Sequence, residues 1–120
     1  MEIALIAHDG KKAEMVQFLN EHRDILHQKK INLISTGTTG EKVKKAGFEV
    51  HALLSGPLGG DAQIAARVAQ GQCDMVLFFR DPLDRHPHEP DILMLMRLCD
   101  VHNIPLATNP ATAELLIKAI

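Results

Sequence analysis

The 120-residue chain lacks tryptophan and tyrosine and has only four phenylalanines. Proteins that bind single-stranded nucleic acid stack bases on aromatic side chains, so this composition argues against that class. The formal net charge is only −2 and the pI is about 6.4, so there is no overall positive field to attract a polyanion. We therefore expect no nucleic-acid partner, and any bound anion must be held by local groups.

Cysteine is scarce as well, because Cys73 and Cys99 are the only two and they form no CxxC motif. Two free thiols in an aliphatic domain are typical of a protein from a reducing compartment, so a cytoplasmic location is expected. The apolar run IALIA near the amino terminus has five residues and no cationic leader. It is too short for a signal peptide or a membrane span, so we expect no membrane association.

The chain does have 46% hydrophobic residues and a regular alternation of apolar runs with helical patterns. This alternation predicts a single domain over residues 1–120. The predicted fold class is α/β, with three layers in which helices cover both faces of a doubly wound, five-stranded parallel sheet. The predicted strands are Glu2–Ala7, Ile31–Ser35, Phe48–Leu54, Asp74–Phe79 and Ile104–Ala107. The predicted helices are Lys12–His22, Thr38–Ala46, Asp61–Gln70, Pro90–His102 and Pro110–Ile120.

Polar and glycine-rich residues cluster immediately after the first four predicted strands. The carboxyl ends of parallel strands lie at one edge of the sheet, and ligands of open α/β sheets bind outside that edge. We therefore expect one site assembled from four loops. The loops are His8-Asp9, TGTTG (36–40), SGPLGGD (55–61) and RDPLDRHPHEPD (80–91).

The TGTTG loop joins a strand to a helix, and its hydroxyl and N–H groups could hold a phosphate at the helix start. It is not a Walker loop, because no GK[ST] follows. A helix cap at Thr38 or Thr39 explains the same residues. Lys12, just past the first strand, could supply a positive charge to the phosphate, and a solvated surface lysine is the alternative. The residue pattern leaves open whether the loop binds phosphate or caps the helix, and whether Lys12 binds phosphate or is a solvated surface lysine.

Asp61 follows two glycines at the start of the third predicted helix. Glycine lets the backbone approach a ligand closely, and a carboxylate held beside a substrate can abstract an acidic C–H proton. Aspartate is also a favoured N-cap, and the helix dipole at that position would lower its pKa and weaken it as a base. This stretch alone favours a helix cap over a general base.

The HPHEPD segment (86–91) lies where the fourth helix begins. A neutral imidazole such as His88 at a helix N-terminus has its pKa lowered by the dipole. It can donate a hydrogen bond to a developing enolate, as in triosephosphate isomerase. A metal site is the competing interpretation, because nearby histidines and acids are ligand types that suit zinc or iron. These side chains are His8, Asp9, His86, His88 and Asp91.

Five motif segments occur in a fixed order and span nearly the whole chain. They are AHDGKK (7–12), STGTTG (35–40), LSGPLGGDAQIA (54–65), FFRDPLDRHPHEPD (78–91) and IPLATNPATAE (104–114). Together they resemble the methylglyoxal synthase family, for which the SGPxGGD and DPL…PHxPD patterns are specific. The resemblance implies a carbon–oxygen lyase that converts dihydroxyacetone phosphate into methylglyoxal and inorganic phosphate through an enediol. It also implies that no metal or organic cofactor takes part.

The resemblance further implies roles for individual residues. The GGD match makes Asp61 the catalytic base. The PHxPD match makes His88 a catalytic group with Asp91 as its neighbouring acid, and the HDxxK match adds Asp9. The implied substrate-binding residues are His8, Lys12, Thr36, Gly37, Thr38, Thr39, Ser55 and Gly56.

Assembly and regulation are implied in the same way. The family is a homohexamer that inorganic phosphate, its product, also inhibits. The TGTTG-type loop occurs as well in the regulatory domain of carbamoyl-phosphate synthetase, so a non-catalytic phosphate- or nucleotide-binding domain of the same superfamily is the alternative. Such a domain would need the phosphate loop, but neither an acid at position 61 nor the pair His88 and Asp91.

Overall fold

The computed structural model describes residues 1–86 and 88–120. Within these ranges the strands are β1 (Glu2–Ala7), β2 (Asn32–Ser35), β3 (His51–Ala52), β4 (Met75–Phe79) and β5 (Leu106–Ala107). The helices are α1 (Lys12–Glu21), α2 (Arg23–Gln28), α3 (Gly37–Lys45), α4 (Gly60–Ala69), α5 (Glu89–Val101) and α6 (Pro110–Lys118). Two short 3₁₀ turns follow β1 and β3, at Asp9–Lys11 and Gly56–Leu58. No helix in the described ranges combines the length and apolarity needed to cross a membrane.

The strands lie in the order β3-β2-β1-β4-β5, and all neighbouring pairs run parallel. The chain builds outward from β1 in one direction and then resumes at β4, on the other side of β1. This reversal leaves a crevice at the carboxyl ends of the two strands, where open α/β sheets bind ligands. At the crevice the backbone N–H of His8 donates a hydrogen bond to the carbonyl of Phe79 (3.2 Å).

Side chains of the central strands alternate between two hydrophobic cores, one on each face of the sheet. In β1, Ile3 and Leu5 face the core that α1, α2, α3 and α6 cover, whereas Ala4 and Ile6 face α4 and α5. Both β1 and β4 are buried along their whole length, which explains the apolar runs from Ile3 to Ala7 and from Met75 to Phe79. The predicted three-layer, doubly wound parallel fold is confirmed.

Helix α2 was missed by the sequence analysis, which ended the first helix at His22 and placed nothing after it. The structure ends α1 at Glu21, and the chain begins a second helix after a break at His22, where φ is −114° and ψ is 19°. This six-residue helix buries Leu26 against the same core as α1. One buried residue, Leu26, gives too weak a periodic pattern to predict so short a helix from the sequence.

The edge strands are shorter than predicted. The strand predicted over Phe48–Leu54 pairs with β2 only through His51–Ala52. Near its end, the backbone N–H of Leu54 donates to the side chain of Gln63 (2.9 Å). Likewise, only two residues of the predicted strand Ile104–Ala107 form β5. Apolar residues near a sheet edge can pack on the core without joining the ladder, so the pattern overestimated both strands.

Candidate functional site

The four predicted loops meet at the carboxyl edge of the sheet. His8 follows β1, Asp61 lies in the first turn of α4, and His88 is the N-cap residue of α5. Nε2 of His88 lies 3.2 Å from Oδ2 of Asp61, and the His8 and His88 ring centroids are 6.2 Å apart. The TGTTG loop is joined to the third loop, because the N–H of Gly37 donates to the carbonyl of Leu54 (3.0 Å).

Asp61 does not cap its helix. The N-cap of α4 is Gly59, with a left-handed φ of +108°, so Asp61 is the second residue of the helix. Its side chain is fully buried, and within the described part of the chain neither carboxylate oxygen accepts a hydrogen bond. The helix-cap interpretation of Asp61 is therefore wrong, and its lone pairs are directed to the site.

The pKa of Asp61 is raised, whereas its position at a helix start had predicted a lowered value. Burial is the largest cause, since it removes the carboxylate from water. Among the neighbouring charges, His88 opposes the increase and Asp91 adds to it. Desolvation prevails here because a helix dipole contributes at most about 2 kcal/mol. A buried carboxylate with a raised pKa and unoccupied oxygens has the properties of a general base.

His88 and Asp91 occupy the predicted start of the fourth long helix. The side chain of His88 is only 9% exposed, and its Nδ1 is buried without a hydrogen-bond partner among the described residues. Asp91 lies in the first turn of α5, and its backbone N–H donates to the carbonyl of His88 (3.0 Å). The first turn therefore fixes both residues beside Asp61 through the backbone.

His8 is buried with a defined tautomer. The backbone N–H of Asp81 donates to Nδ1 of His8 (2.8 Å), so the proton of the neutral ring lies on Nε2. That Nε2 is buried and has no partner in the described ranges. The pKa of His8 is lowered from 6.5 to about 4, chiefly by burial and also by the charges of His86, His88 and Arg80. His8 thus presents a neutral N–H donor at neutral pH.

Gly56 forms one wall of the site, and a side chain there would intrude on the two central groups. A Cβ atom at this position would lie 2.7 Å from Nε2 of His88 and 3.3 Å from Oδ2 of Asp61. Contacts below 3.0 Å are essentially never made by real Cβ atoms. The absence of a side chain therefore lets the backbone of the SGPLGG loop approach whatever occupies the site.

The cap predicted at Thr38 or Thr39 is also misplaced. The N-cap of α3 is Thr36, so the helix begins one residue earlier than predicted, at Gly37. The N–H of Gly37 is already bonded to the carbonyl of Leu54. The next first-turn amides have no acceptor inside the helix, as at any helix N-terminus, and this end of α3 lies at the site.

Thr39 anchors the loop to the sheet. Its hydroxyl donates to the carbonyl of Ala7 (3.3 Å) and accepts from the N–H of Ala7 (3.2 Å) and from the hydroxyl of Thr36 (3.3 Å). Thr36 and Thr39 are both buried, whereas Thr38 is exposed. These bonds hold the TGTTG loop against β1, and Thr38 is the threonine of the loop whose side chain is exposed.

Lys12 and Asp9 form an ion pair across the 3₁₀ turn after β1. The Lys12 side chain is 12% exposed and that of Asp9 is 97% exposed. The hydrogen bond from Lys12 is the largest cause that lowers the pKa of Asp9. The structure thus connects Asp9 to the predicted phosphate-binding lysine and places its carboxylate in solvent.

Two further side chains of this cluster, His86 and Arg80, could not be predicted as parts of a reaction site from the sequence. His86 was considered only as a metal ligand, yet its ring stacks on that of His8, with centroids 3.5 Å apart and an interplanar angle of 21°. Arg80, which was not considered, donates to Glu89 (3.5 Å) and contributes to the lowered pKa of His8. No sequence pattern could identify these contacts, because the motifs place the loops at one edge and do not determine how their side chains pack.

The described ranges contain no arrangement of side chains that supports the metal interpretation. There, no group of three or more His, Cys, Asp and Glu side chains is arranged to hold a metal ion. His8 and His86 are stacked face to face rather than converging edge-on toward a common point. Pro87, which lies within the HPHEPD motif, is outside the described residues.

A groove of about 800 Å³ lies at the opposite, amino end of β2, between α2 and the segment after α3. Arg23, Lys30 and Phe48 are among its lining residues, and none of the predicted site residues is. Its size alone does not connect it with the chemistry of the cluster around Asp61.

Comparison with known proteins assigns the chain to a family. Residues 14–108 match the model of the MGS-like domain. The methylglyoxal synthase of Caldicellulosiruptor saccharolyticus is 62% identical over 100% of this chain and 84% of its own length. That of Moorella thermoacetica is 52% identical over 98% and 91%, respectively.

A solved structure extends the likeness to three dimensions. The crystal structure of methylglyoxal synthase from Elizabethkingia anophelis NUHP1 is 45% identical in sequence and superposes with a TM-score of 0.89. The match covers 97% of this chain and 76% of that chain. Full-length identity above one half, together with the same fold, leaves one conclusion: the chain belongs to the methylglyoxal synthase family.

Proposed function

We propose that residues 1–120 act as a single methylglyoxal-synthase-like domain that converts dihydroxyacetone phosphate into methylglyoxal and inorganic phosphate. The observation that carries this proposal is the buried carboxylate of Asp61. It has a raised pKa and no hydrogen-bond partner in the described chain, and it lies 3.2 Å from the His88 imidazole. The relatives named above are all methylglyoxal synthases, and none of them supports a non-catalytic regulatory domain.

The phosphate end of the substrate binds at the start of α3. Lys12 supplies a positive charge, Thr38 a hydroxyl, and the first turn of α3 its backbone N–H groups, while Ser55 and Gly56 contribute from the facing loop. Thr36, Gly37 and Thr39 hold the loop in place through the contacts described above. Each charge-assisted hydrogen bond contributes about 1.5–3 kcal/mol, so a few of them offset the cost of ordering the substrate.

The carbon end of the substrate lies against Asp61. Oδ2 or Oδ1 of Asp61 takes a proton from the carbon that bears the free hydroxyl, and the C–H electron pair forms the C=C bond of the enediol. The carbonyl oxygen gains a proton, for which His88 and the Nε2–H of His8 are the available donors. The terminal enediol hydroxyl then returns a proton to the imidazole that protonated the carbonyl oxygen, and its O–H electron pair forms the aldehyde C=O. The C=C pair shifts and breaks the carbon–oxygen bond to phosphate, which takes up the proton held by Asp61. The resulting enol tautomerises to methylglyoxal.

Asp9 and Asp91 act through their neighbours in this scheme. Asp91 is one of the charges that raise the pKa of Asp61, which makes the carboxylate a stronger base. The bound phosphate adds a further negative charge, with the same effect. Asp9 holds the ammonium group of Lys12 at the phosphate loop. Both carboxylates are therefore orienting or tuning groups, and Asp61 is the proton acceptor.

Self-association into a homohexamer is part of the proposal. Large apolar side chains are exposed around and beyond the site, and subunit contacts would cover them. They are Leu54, Leu58, Leu83, Leu93, Val101 and Leu115. Light scattering coupled to gel filtration tests the assembly, and a monomer at micromolar concentration would contradict it. Inhibition by inorganic phosphate and the cytoplasmic location, the latter expected from the unpaired thiols, remain predictions.

The decisive experiment mixes the purified protein with dihydroxyacetone phosphate and measures methylglyoxal and phosphate release, before and after prolonged chelation. Asp61→Asn is expected to lower kcat by about 10²–10⁴-fold, the usual contribution of a positioned acid or base. Asp24→Asn, at an exposed acid on α2, is the matched control and should keep full activity. Near-normal turnover by Asp61→Asn would contradict the base assignment. Tight phosphate binding with no methylglyoxal would favour the regulatory-domain alternative.

A further inference from the structure

His86 plays no part in the proposed reaction, yet it makes the closest ring contact in the described cluster. Its imidazole lies 3.5 Å from that of His8, centroid to centroid, and the two planes differ by 21°. The other rings near His8 are farther away and nearly perpendicular: Phe78 at 5.2 Å and 79°, and His88 at 6.2 Å and 79°. His86 is thus the one described aromatic ring that covers a face of the His8 ring.

The hydrogen bond to His8 does not by itself fix the ring. The Asp81 N–H bonds to Nδ1 and determines the tautomer, but the ring can still tilt about the line of that single bond. Such a tilt would move Nε2, on the other side of the ring, and change the direction in which its N–H points. The His86 ring, stacked on one face, and the perpendicular Phe78 ring together oppose this rotation.

We propose that His86 is a positioning residue, which holds the His8 ring in the plane where its Nε2–H can donate to the oxygen of the bound substrate. This inference rests on the proposed function for the identity of the substrate oxygen. It does not make His86 a catalytic residue, because His86 acts through His8.

The charges around His8 favour the same neutral donor. Five charged or titratable groups face His8. Arg80 and His86 lie in the loop after β4, His88 and Glu89 lie at the start of α5, and Asp9 lies in the turn after β1. The charges of His86, His88 and Arg80 lower the pKa of His8 and that of Glu89 raises it. Burial is the largest cause of the lowered pKa of His8, and these charges act in addition to it. The stack therefore orients a ring that burial and its neighbours keep neutral.

A direct contact between His86 and the ligand is the competing explanation, because Nε2 of His86 is also buried without a partner in the described ranges. Three variants separate the two. His86→Phe keeps a flat ring and lacks the nitrogens, His86→Gln keeps a polar atom and lacks the ring, and His86→Ala lacks both. Orientation by stacking predicts that only the phenylalanine variant resembles the parent.

The test measures kcat and KM for dihydroxyacetone phosphate and, in the ligand-free protein, the ¹⁵N shifts of the His8 ring. We expect His86→Ala and His86→Gln to lower kcat about tenfold, a part of the usual ~10²–10⁴-fold contribution of a proton donor, with KM changed less than about twofold. The His8 ring should keep the Nε2–H tautomer in every variant, because the Asp81 N–H determines it. The Nε2 resonance should stay sharp in the parent and in His86→Phe and should broaden in His86→Ala and His86→Gln, where the ring is free to tilt.

Two results would overturn the inference: loss of activity in His86→Phe equal to that in His86→Ala, or an unchanged His8 spectrum in both ring-deleted variants. Full activity of His86→Gln with loss in His86→Phe would establish a direct polar contact instead. Thermal unfolding of each variant checks that the fold is intact, and His86→Gln serves if His86→Ala does not fold. The ¹⁵N result needs no turnover, so it stands or fails separately from the proposed reaction.

Discussion

Nε2 of His88, the N-cap residue of α5, lies 3.2 Å from Oδ2 of Asp61, in the first turn of α4. Both oxygens of Asp61 and Nδ1 of His88 lack hydrogen-bond partners within the described chain. Each unsatisfied buried polar group costs about 1–3 kcal/mol. Such a cluster is unfavourable for the ligand-free fold and is suited to a ligand that satisfies these atoms, which leads to the first prediction.

Asp61→Asn should be more stable than the parent at pH 7, by on the order of 1 kcal/mol. Burial raises the pKa of Asp61, so the unfolded chain loses this proton at a lower pH than the folded chain does. As the pH rises above the unfolded value of about 4, ionisation therefore favours the unfolded parent, and the variant escapes this cost. Urea unfolding at pH 7 and at pH 3.5, roughly at or below that value, measures the difference. A variant less stable than the parent at pH 7 would contradict the prediction.

His8 should give stability a pH dependence of the opposite sign. The pKa of His8 is lowered from 6.5 to about 4, so between these values only the unfolded chain binds the proton. The contribution of neutral His8 to the free energy of unfolding is fully present above pH 6.5. It is lost as the pH falls toward 4, by up to about 3 kcal/mol. Urea unfolding of the parent and His8→Asn at pH 7, 5.5 and 4 isolates it. Equal losses of stability in both proteins would show that His8 does not titrate as stated.

Lys12 and its neighbour Lys11 offer a matched pair for the phosphate loop. Lys12→Met should raise both KM for dihydroxyacetone phosphate and the inhibition constant of phosphate by about 10–100-fold, the loss expected for one charge-assisted bond. The control is Lys11→Met, at a lysine that pairs with Glu14 (3.3 Å). This substitution should change neither constant by more than about twofold. Steady-state kinetics with added phosphate provides both numbers. Equal effects at the two positions would indicate a general charge effect and no specific phosphate contact.

Gly56 and Gly71 separate the effect of a side chain on the site from its effect on the backbone. Gly56→Ala should lower kcat/KM at least about tenfold, because its Cβ would meet His88 and Asp61, with a smaller effect on stability. Gly71→Ala should do the reverse: its φ is +75° and its Cβ would meet nothing within 4 Å, so it should cost about 1 kcal/mol of stability and no activity. Activity assays and thermal unfolding of both variants check this double contrast. Retained activity in Gly56→Ala would place the substrate elsewhere.

The layers of the fold could be predicted because each long element has a strong local pattern. Continuous apolar runs indicated the buried strands β1 and β4, and helical spacing indicated α1, α4 and α5. Elements held mainly by distant contacts were predicted poorly. Helix α2 depends on one buried leucine, Leu26, and the length of β3 depends on where its pairing with β2 ends.

The residues of the candidate site could be predicted, but their environments could not. The parallel sheet rule placed His8, Asp61 and His88 at one edge, where the structure has them. The helix-start rule for Asp61 gave the wrong direction for its pKa, because it considers the helix alone and omits burial by neighbouring elements. The stack of His86 on His8 was also beyond prediction, because the sequence brings the two loops to one edge and does not determine how their rings pack.

The sequence by itself determined which chemical groups follow each strand and, since parallel strands share one carboxyl edge, that these groups would meet there. It also carried the family resemblance, because the motifs are continuous segments of the chain. Only the tertiary structure decided which of these groups lose contact with water. Burial depends on how α4, α5 and the loop after β4 close over the sheet, and burial is the largest influence on the pKa of both Asp61 and His8. The order of residues therefore supplied the acid and the imidazoles, and their packing raised the pKa of Asp61 and lowered that of His8.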